Sequence, residues 1–252
     1  MTKEKFRIQM PEDERVEREI HTIIRLGMKK KQSFPQFMWK MQKELGFRYL
    51  FVSQKDGIIM TMSIMLILTL FVSMMTEGAG PGESIYGAIF MISPLLFMAL
   101  SLYDLFVKKQ SEVFEVEMTA KFNLYQVSAF RMLHFSILSI LMNTLIIACL
   151  IWSGHSVEIL RALLISTASL FLFSSFYLVV FMKGNSGISV LKVVAGWLIV
   201  NIVPNGINPE VYWQFLNSLP AFVYGIVLAG SIACYLYYLS KLVRMRPVEG
   251  VL

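Results

Sequence analysis

Residues Phe114–Leu133 read FEVEMTAKFNLYQVSAFRML and lie between two runs apolar enough to sit in lipid. A connection that only reverses the chain between two helices takes about 2 to 8 residues. This one is far longer, spanning 108–132, and it is patterned. Met118, Phe122, Tyr125, Ala129 and Met132 recur at helical spacing, and Glu117 can pair with Lys121 one turn on. Glu115, Asn123 and Gln126 are left for water or a partner. The stretch reads either as an extension of the next apolar helix or as a helix that another protein grips.

The composition around it is that of a membrane protein. Of 252 residues, 56% are hydrophobic and only 16% charged, against about 25% charged in a soluble domain. Crossing about 30 Å of hydrocarbon takes roughly 20 apolar residues. Six runs qualify, at 58–75, 84–107, 133–152, 159–182, 186–203 and 215–240, the fifth being short and carrying Lys192.

The basic residues orient these runs. Of 23 Lys and Arg, thirteen precede the first span, and Lys108, Lys109, Lys121 and Arg131 lie between the second and third. Lys183 follows the fourth span, and Lys241, Arg244 and Arg246 follow the sixth. The alternate connections TEGAGPGE, SGHSVE and PNGINPEVYWQ hold none. Arg161 and Lys192 fall near span ends, where they can snorkel. The positive-inside rule then puts both termini in the cytoplasm. The net charge of +6 follows from this placement beside a membrane, with no need for nucleic acid.

The expected organisation is an all-α polytopic membrane protein in three parts: a cytoplasmic segment 1–57, a six-helix domain 58–240 and a short basic tail 241–252. Pro11–Lys31 runs from acid to base, as a helix dipole favours, and reads as a surface helix or a docking site. Ser33 then caps a helix whose stripe is Phe34, Phe37, Met38, Met41 and Leu45. With Trp39 and basic flanks, it suits an amphipathic elbow in the headgroup layer that turns through Gly46–Gly57 into the first span. The first apolar run begins too far along for a signal peptide.

Catalytic and metal signatures are missing: there is no phosphate loop, H-E-x-x-H, C-x-x-C or G-x-S-x-G, and the three histidines are scattered. Cys149 and Cys234 read as small core residues inside apolar runs. Asp104 and Lys192 lie off the midplane, which disfavours ion coupling. Asn143, near the centre, suits a helix–helix hydrogen bond or a substrate contact. Ser174 and Ser175, among other serines of the fourth span, suit packing or a polar path. Ala221, Gly225, Ala229 and Ala233 form a small-residue face open to close helix approach, and Pro94 and Pro220 are expected to kink their spans.

Six spans, the elbow over Ser33–Leu50 and the charged connection Glu115–Met132 resemble the membrane subunit of six-helix ABC-type exporters. That resemblance implies a homodimer or heterodimer of permease chains. It further implies a separate cytoplasmic ATPase docked on Glu115, Glu117, Lys121, Asn123 and Gln126, with ATP used by that partner and no cofactor on this chain. The place of PNGINPEVYWQ matches that family's short re-entrant element, with Tyr212 and Trp213 as its aromatic anchors. A membrane-bound regulator that captures a signalling or transcription factor through 1–57 is the alternative reading. A reporter fused after Leu252 is expected to report from the cytoplasm; a signal from the opposite side overturns the six-span topology.

Overall fold

The computed structural model describes residues 16–20, 22, 33–46, 50–51, 54–77, 83–110, 123–155, 157–183 and 187–245. Two compact units are distinguished, 1–40 and 41–252, and helix α1 (Phe34–Leu45) crosses their boundary. In the first unit 16–20 is helical, with the Thr22 hydroxyl donating to the Arg18 carbonyl; the rest of the expected helix 11–31 lies outside the described residues. Ser33 opens α1 as its sequence predicts: its carbonyl takes the first helical bond from Phe37 N, and Gln36 Oε1 reaches back to its amide.

The second unit continues with α2 (Gln54–Glu77), α3 (Glu83–Ile92), α4 (Leu95–Gln110), α5 (Leu124–Trp152) and α6 (Ile159–Lys183). After these come α7 (Gly187–Ile207), α8 (Pro209–Ser218) and α9 (Ala221–Arg244). Among the described residues six segments are long and apolar enough to cross a membrane: Lys55–Met74, Ile85–Phe106, Tyr125–Trp152, Ile159–Lys183, Ser189–Ile207 and Ala221–Arg244. The chain is therefore a multi-pass membrane protein.

Two boundaries differ most from the sequence expectation. The third span starts at Leu124, so the described part of the patterned connection is the first turns of α5 itself. The sixth span starts at Ala221, and 215–218 belongs to α8. Pro220 does more than kink this run. Leu219 is extended (ψ 125°) and Pro220 likewise (ψ 148°), because a proline ring disfavours helix in the residue before it and offers no N–H to the turn behind.

Helix α6 is the centre of the bundle: α9 lies along it, and α3, α5 and α7 pack around it. Phe97 of α4 sets its ring edge-on to Phe173 and Tyr177 of α6, at 6.4 and 5.8 Å. Trp197 of α7 closes on Phe90 and Phe173 at 5.5 and 5.6 Å. These four helices share one aromatic ladder.

Pro94 breaks the second span between α3 and α4, as its sequence suggests. A proline has no N–H to give the carbonyl four residues back, and lipid offers no water to replace it. Three other helices supply donors around the break. Ser169 Oγ of α6 bonds the Phe90 carbonyl, Trp197 Nε1 of α7 the Met91 carbonyl at 3.4 Å, and Asn143 Nδ2 of α5 the Ser93 carbonyl at 3.0 Å. The Ser93 and Ser166 hydroxyls meet at 2.9 Å.

At the other end of the first span, Gly46 leaves α1 with φ +65°, a left-handed C-terminal turn whose amide bonds the Gln42 carbonyl. Phe51 then stacks on Phe135 at 5.7 Å, and a Cβ on Gly57 would lie 2.1 Å from the Phe51 ring.

Ser169→Ala and Asn143→Ala are each expected to destabilise the folded protein in detergent by about 0.6 to 1.7 kcal/mol, the range for interhelical hydrogen bonds in membranes. Thr167→Ala, whose hydroxyl bonds only its own helix, is the control expected to stay near neutral in the same unfolding titration.

Candidate functional site

The polar side chains gather at the two ends of the bundle. At one end lie the last turns of α4, α6 and α9 and the first turn of α5, with Lys183, Lys241 and Arg244; it is called here the basic end. At the other lie α8 and the first turn of α6.

At the basic end Asn123 has the extended backbone of an N-cap (φ −68°, ψ 148°). Its Oδ1 accepts from Tyr125 N, and Gln126 Oε1 accepts from Asn123 N at 3.2 Å, a reciprocal capping box. The other end of each amide leaves the helix: Asn123 Nδ2 donates to the Met245 carbonyl at 3.0 Å, and Gln126 Nε2 to the Val243 carbonyl at 3.3 Å. These carbonyls close α9, where a helix leaves acceptors without partners of its own. The start of α5 and the end of α9 are thus tied together by two side chains. An Asn-x-x-Gln spacing was the signal for the cap; the bond to α9 has none in the sequence.

Seven residues into α5, Arg131 Nη1 donates to Asp104 Oδ1 of α4 at 2.6 Å, with the side chains 4% and 11% exposed. The sequence reading placed Arg131 in the connection and Asp104 apart from it; the fold buries both as one pair. It joins the two helices that flank residues 111–122. Glu115, Glu117 and Lys121 of the expected docking face lie outside the described residues, whereas Ala129 and Met132 of the expected stripe are buried.

The opposite end is organised by Arg161, in the first turn of α6. Its Nη2 donates to the Asn217 carbonyl and, at 3.2 Å, to the Leu219 carbonyl, where α8 ends. Its guanidinium lies 5.1 Å from the Tyr86 ring centroid, and the Tyr86 hydroxyl accepts from Glu158 N. This arginine, expected to snorkel, has its guanidinium at a helix C-terminus, a favoured place for a cation. Helix α8 is laid on α3 through Trp213, since a Cβ on Gly87 would come within 2.9 Å of that indole. Tyr212 Oη donates to Asn201 Oδ1 at 2.9 Å, and Asn201 Nδ2 to the Trp197 carbonyl. Burial pushes the Tyr212 phenol up to about 12, so it remains a donor across the physiological range.

The remaining expected positions are distributed as follows. On α1, Met38 and Met41 are buried, Phe34, Phe37 and Leu45 half-buried, and Trp39 is 66% exposed. Asn143 braces the proline break, Ser174 Oγ bonds the Leu170 carbonyl of its own helix, and Ser175 Oγ reaches the Ser231 carbonyl of α9 at 3.0 Å. All three side chains are bonded within the bundle. Ala221, Ala229 and Ala233 are exposed and Gly225 half-exposed, so the small-residue face of α9 turns outward, while Tyr224, Tyr235 and Leu239 turn inward. Cys149 and Cys234 are exposed and free, a correction to their reading as core residues; on apolar spans an outward thiol meets hydrocarbon and behaves as a small hydrophobe.

Among the described residues no three metal-ligating side chains converge. No family model matches the chain, and neither a curated protein nor a solved structure matches it.

Asp104→Asn and Arg131→Met are each expected to destabilise the folded protein by about 1 to 3 kcal/mol, because each breaks the buried charge-assisted bond between α4 and α5. The double variant Asp104→Leu/Arg131→Met should recover most of that loss in the same detergent unfolding measurement.

Proposed function

We propose that this chain is a permease-like subunit of an ABC transport system, energised by a separate ATPase that docks on the connection within 114–133. The observation that carries the reading is α8, a 10-residue helix between the fifth and sixth spans. It folds back on the second span through Trp213 and Gly87 and is held there by Arg161. A short helix turned back at the non-basic end, between the last two of six spans, is the placement of the re-entrant element in the exporters that the sequence resembles.

Helix α5 adds support. Its 29 residues measure about 43 Å at 1.5 Å per residue, longer than the hydrocarbon layer is thick. In this reading its first turns stand clear of the lipid in the cytoplasm. The Asp104–Arg131 pair and the Asn123 and Gln126 bonds then tie the start of α5 to α4 and α9. Both termini are cytoplasmic, the membrane is the plasma membrane, and α1 is the interfacial elbow. Two such chains, identical or related, enclose the path, and the outward small-residue face of α9 is open to the second one. Ser174, Ser175 and Asn143 belong to the packing of each half.

The test is affinity capture of the detergent-solubilised protein from its native cells, read by mass spectrometry. Recovery of an ABC ATPase in near-equal amount supports the proposal; a signalling or transcription factor released by deleting residues 1–31 replaces it with the regulator reading. Given an ATPase partner, Glu115→Lys/Glu117→Lys is expected to lower its recovery at least tenfold, about 1.4 kcal/mol, with membrane insertion unchanged. Unaltered recovery removes 114–133 as the docking site.

A further inference from the structure

From Ile159 to Asn208 the chain carries three cations, Arg161, Lys183 and Lys192, and no Asp or Glu. Arg161 is engaged by the carbonyls that close α8. The other two belong to the opposite end of the α6–α7 hairpin. Lys183 is the last residue of α6, residues 184–186 join it to α7, and Lys192 falls in the second turn of α7. Both lysines are exposed, and among the described residues neither makes an ion pair or a hydrogen bond.

Lys192 lies inside the span Ser189–Ile207. A charge held in hydrocarbon is costly, so a lysine there extends its methylene stem toward the nearer interface. Its Cα is about 7.5 Å along the axis from the first residue of α7, a depth that the stem largely spans. The ammonium is thereby brought to the mouth of the hairpin, where α6 ends in Lys183. There it also meets the positive end of the α7 dipole, which favours an anion and disfavours a bare cation.

The side of α7 that Lys192 heads is apolar and uncovered. Val190 and Asn201 are buried, and Trp197 reaches inward to the Met91 carbonyl. Ala195, Ile199, Ile202 and Val203 recur at helical spacing on the Lys192 side and are all exposed. From Lys192 to Val203 this stripe runs about 16 Å, close to half of the roughly 30 Å hydrocarbon layer. Two cations above one leaflet's length of exposed apolar side chains match the head and tail of a phospholipid.

We propose that the mouth of the α6–α7 hairpin binds one anionic phospholipid, its phosphate between Lys183 and Lys192 and an acyl chain along Ala195, Ile199, Ile202 and Val203. The occupant follows from charge. A zwitterionic lipid brings its own ammonium, and a second copy meeting this hairpin through the same face brings two more lysines and no carboxylate. An anionic headgroup supplies the missing negative charge without adding a positive one. The inference holds whether or not the chain is a permease subunit.

Native mass spectrometry of the purified full chain in detergent, titrated with phosphatidylglycerol or with phosphatidylcholine of the same acyl chains, tests it. Phosphatidylglycerol is expected to bind at least tenfold more tightly, and Lys183→Gln/Lys192→Gln to remove most of that preference. Neither lysine has a partner to lose, so the variant keeps the fold. Lys241→Gln/Arg244→Gln takes two charges from the end of α9 and is expected to leave the preference within twofold. Equal binding of the two lipids overturns the proposal, as does a wild-type preference in the Lys183→Gln/Lys192→Gln protein. An equal loss in both variants overturns it as well, because the basic end then attracts anions in general and holds no site at the hairpin.

Discussion

A backbone carbonyl released inside a membrane has no water to turn to, and this constraint governs how the bundle is built around Pro94. The break separates α3 from α4, and Ser169, Trp197 and Asn143 supply donors from three other helices. Because the donors come from α5, α6 and α7, the second span cannot straighten or slide without exposing acceptors to hydrocarbon. The aromatic ladder through Phe90, Phe97, Phe173 and Trp197 packs over the same break and shields those bonds. Local strain in one helix becomes the device that fixes the register of four.

The same requirement recurs at the ends. A helix leaves its last carbonyls without partners, and here two C-termini are completed by side chains from the first turns of other helices. Asn123 and Gln126 serve the end of α9; Arg161 serves the end of α8. At the basic end the Asp104–Arg131 pair adds a cross-link between α4 and α5.

Much of this was legible in the residue order. The six apolar runs, the basic residues on alternate connections, the Ser33 cap, the Phe34–Leu45 stripe and the break at Pro94 each express a local rule of length, charge or backbone chemistry. Where reading by such rules fell short, the missing information was a partner distant in sequence. Asn123 and Gln126 looked like surface amides because Met245 and Val243 lie over a hundred residues away. Arg161 looked like a snorkelling residue because the helix it caps begins at Pro209. The small-residue face of α9 was visible as a pattern, but a pattern of period four does not say which side of the helix the neighbours occupy. The bulky inward Tyr224, Tyr235 and Leu239 decided that.

The sequence by itself therefore determined that the chain holds six runs long and apolar enough to cross a membrane and where Pro94 breaks one of them, because hydrophobic length and proline chemistry act within a few residues. Only the tertiary structure decided which polar side chains face each other. Hydrogen-bond partners in a helical bundle are chosen by packing across helices, and a partner's identity leaves no mark on the stretch that needs it. Asp104 with Arg131, Ser169 with the Phe90 carbonyl and Trp213 over Gly87 are of that kind.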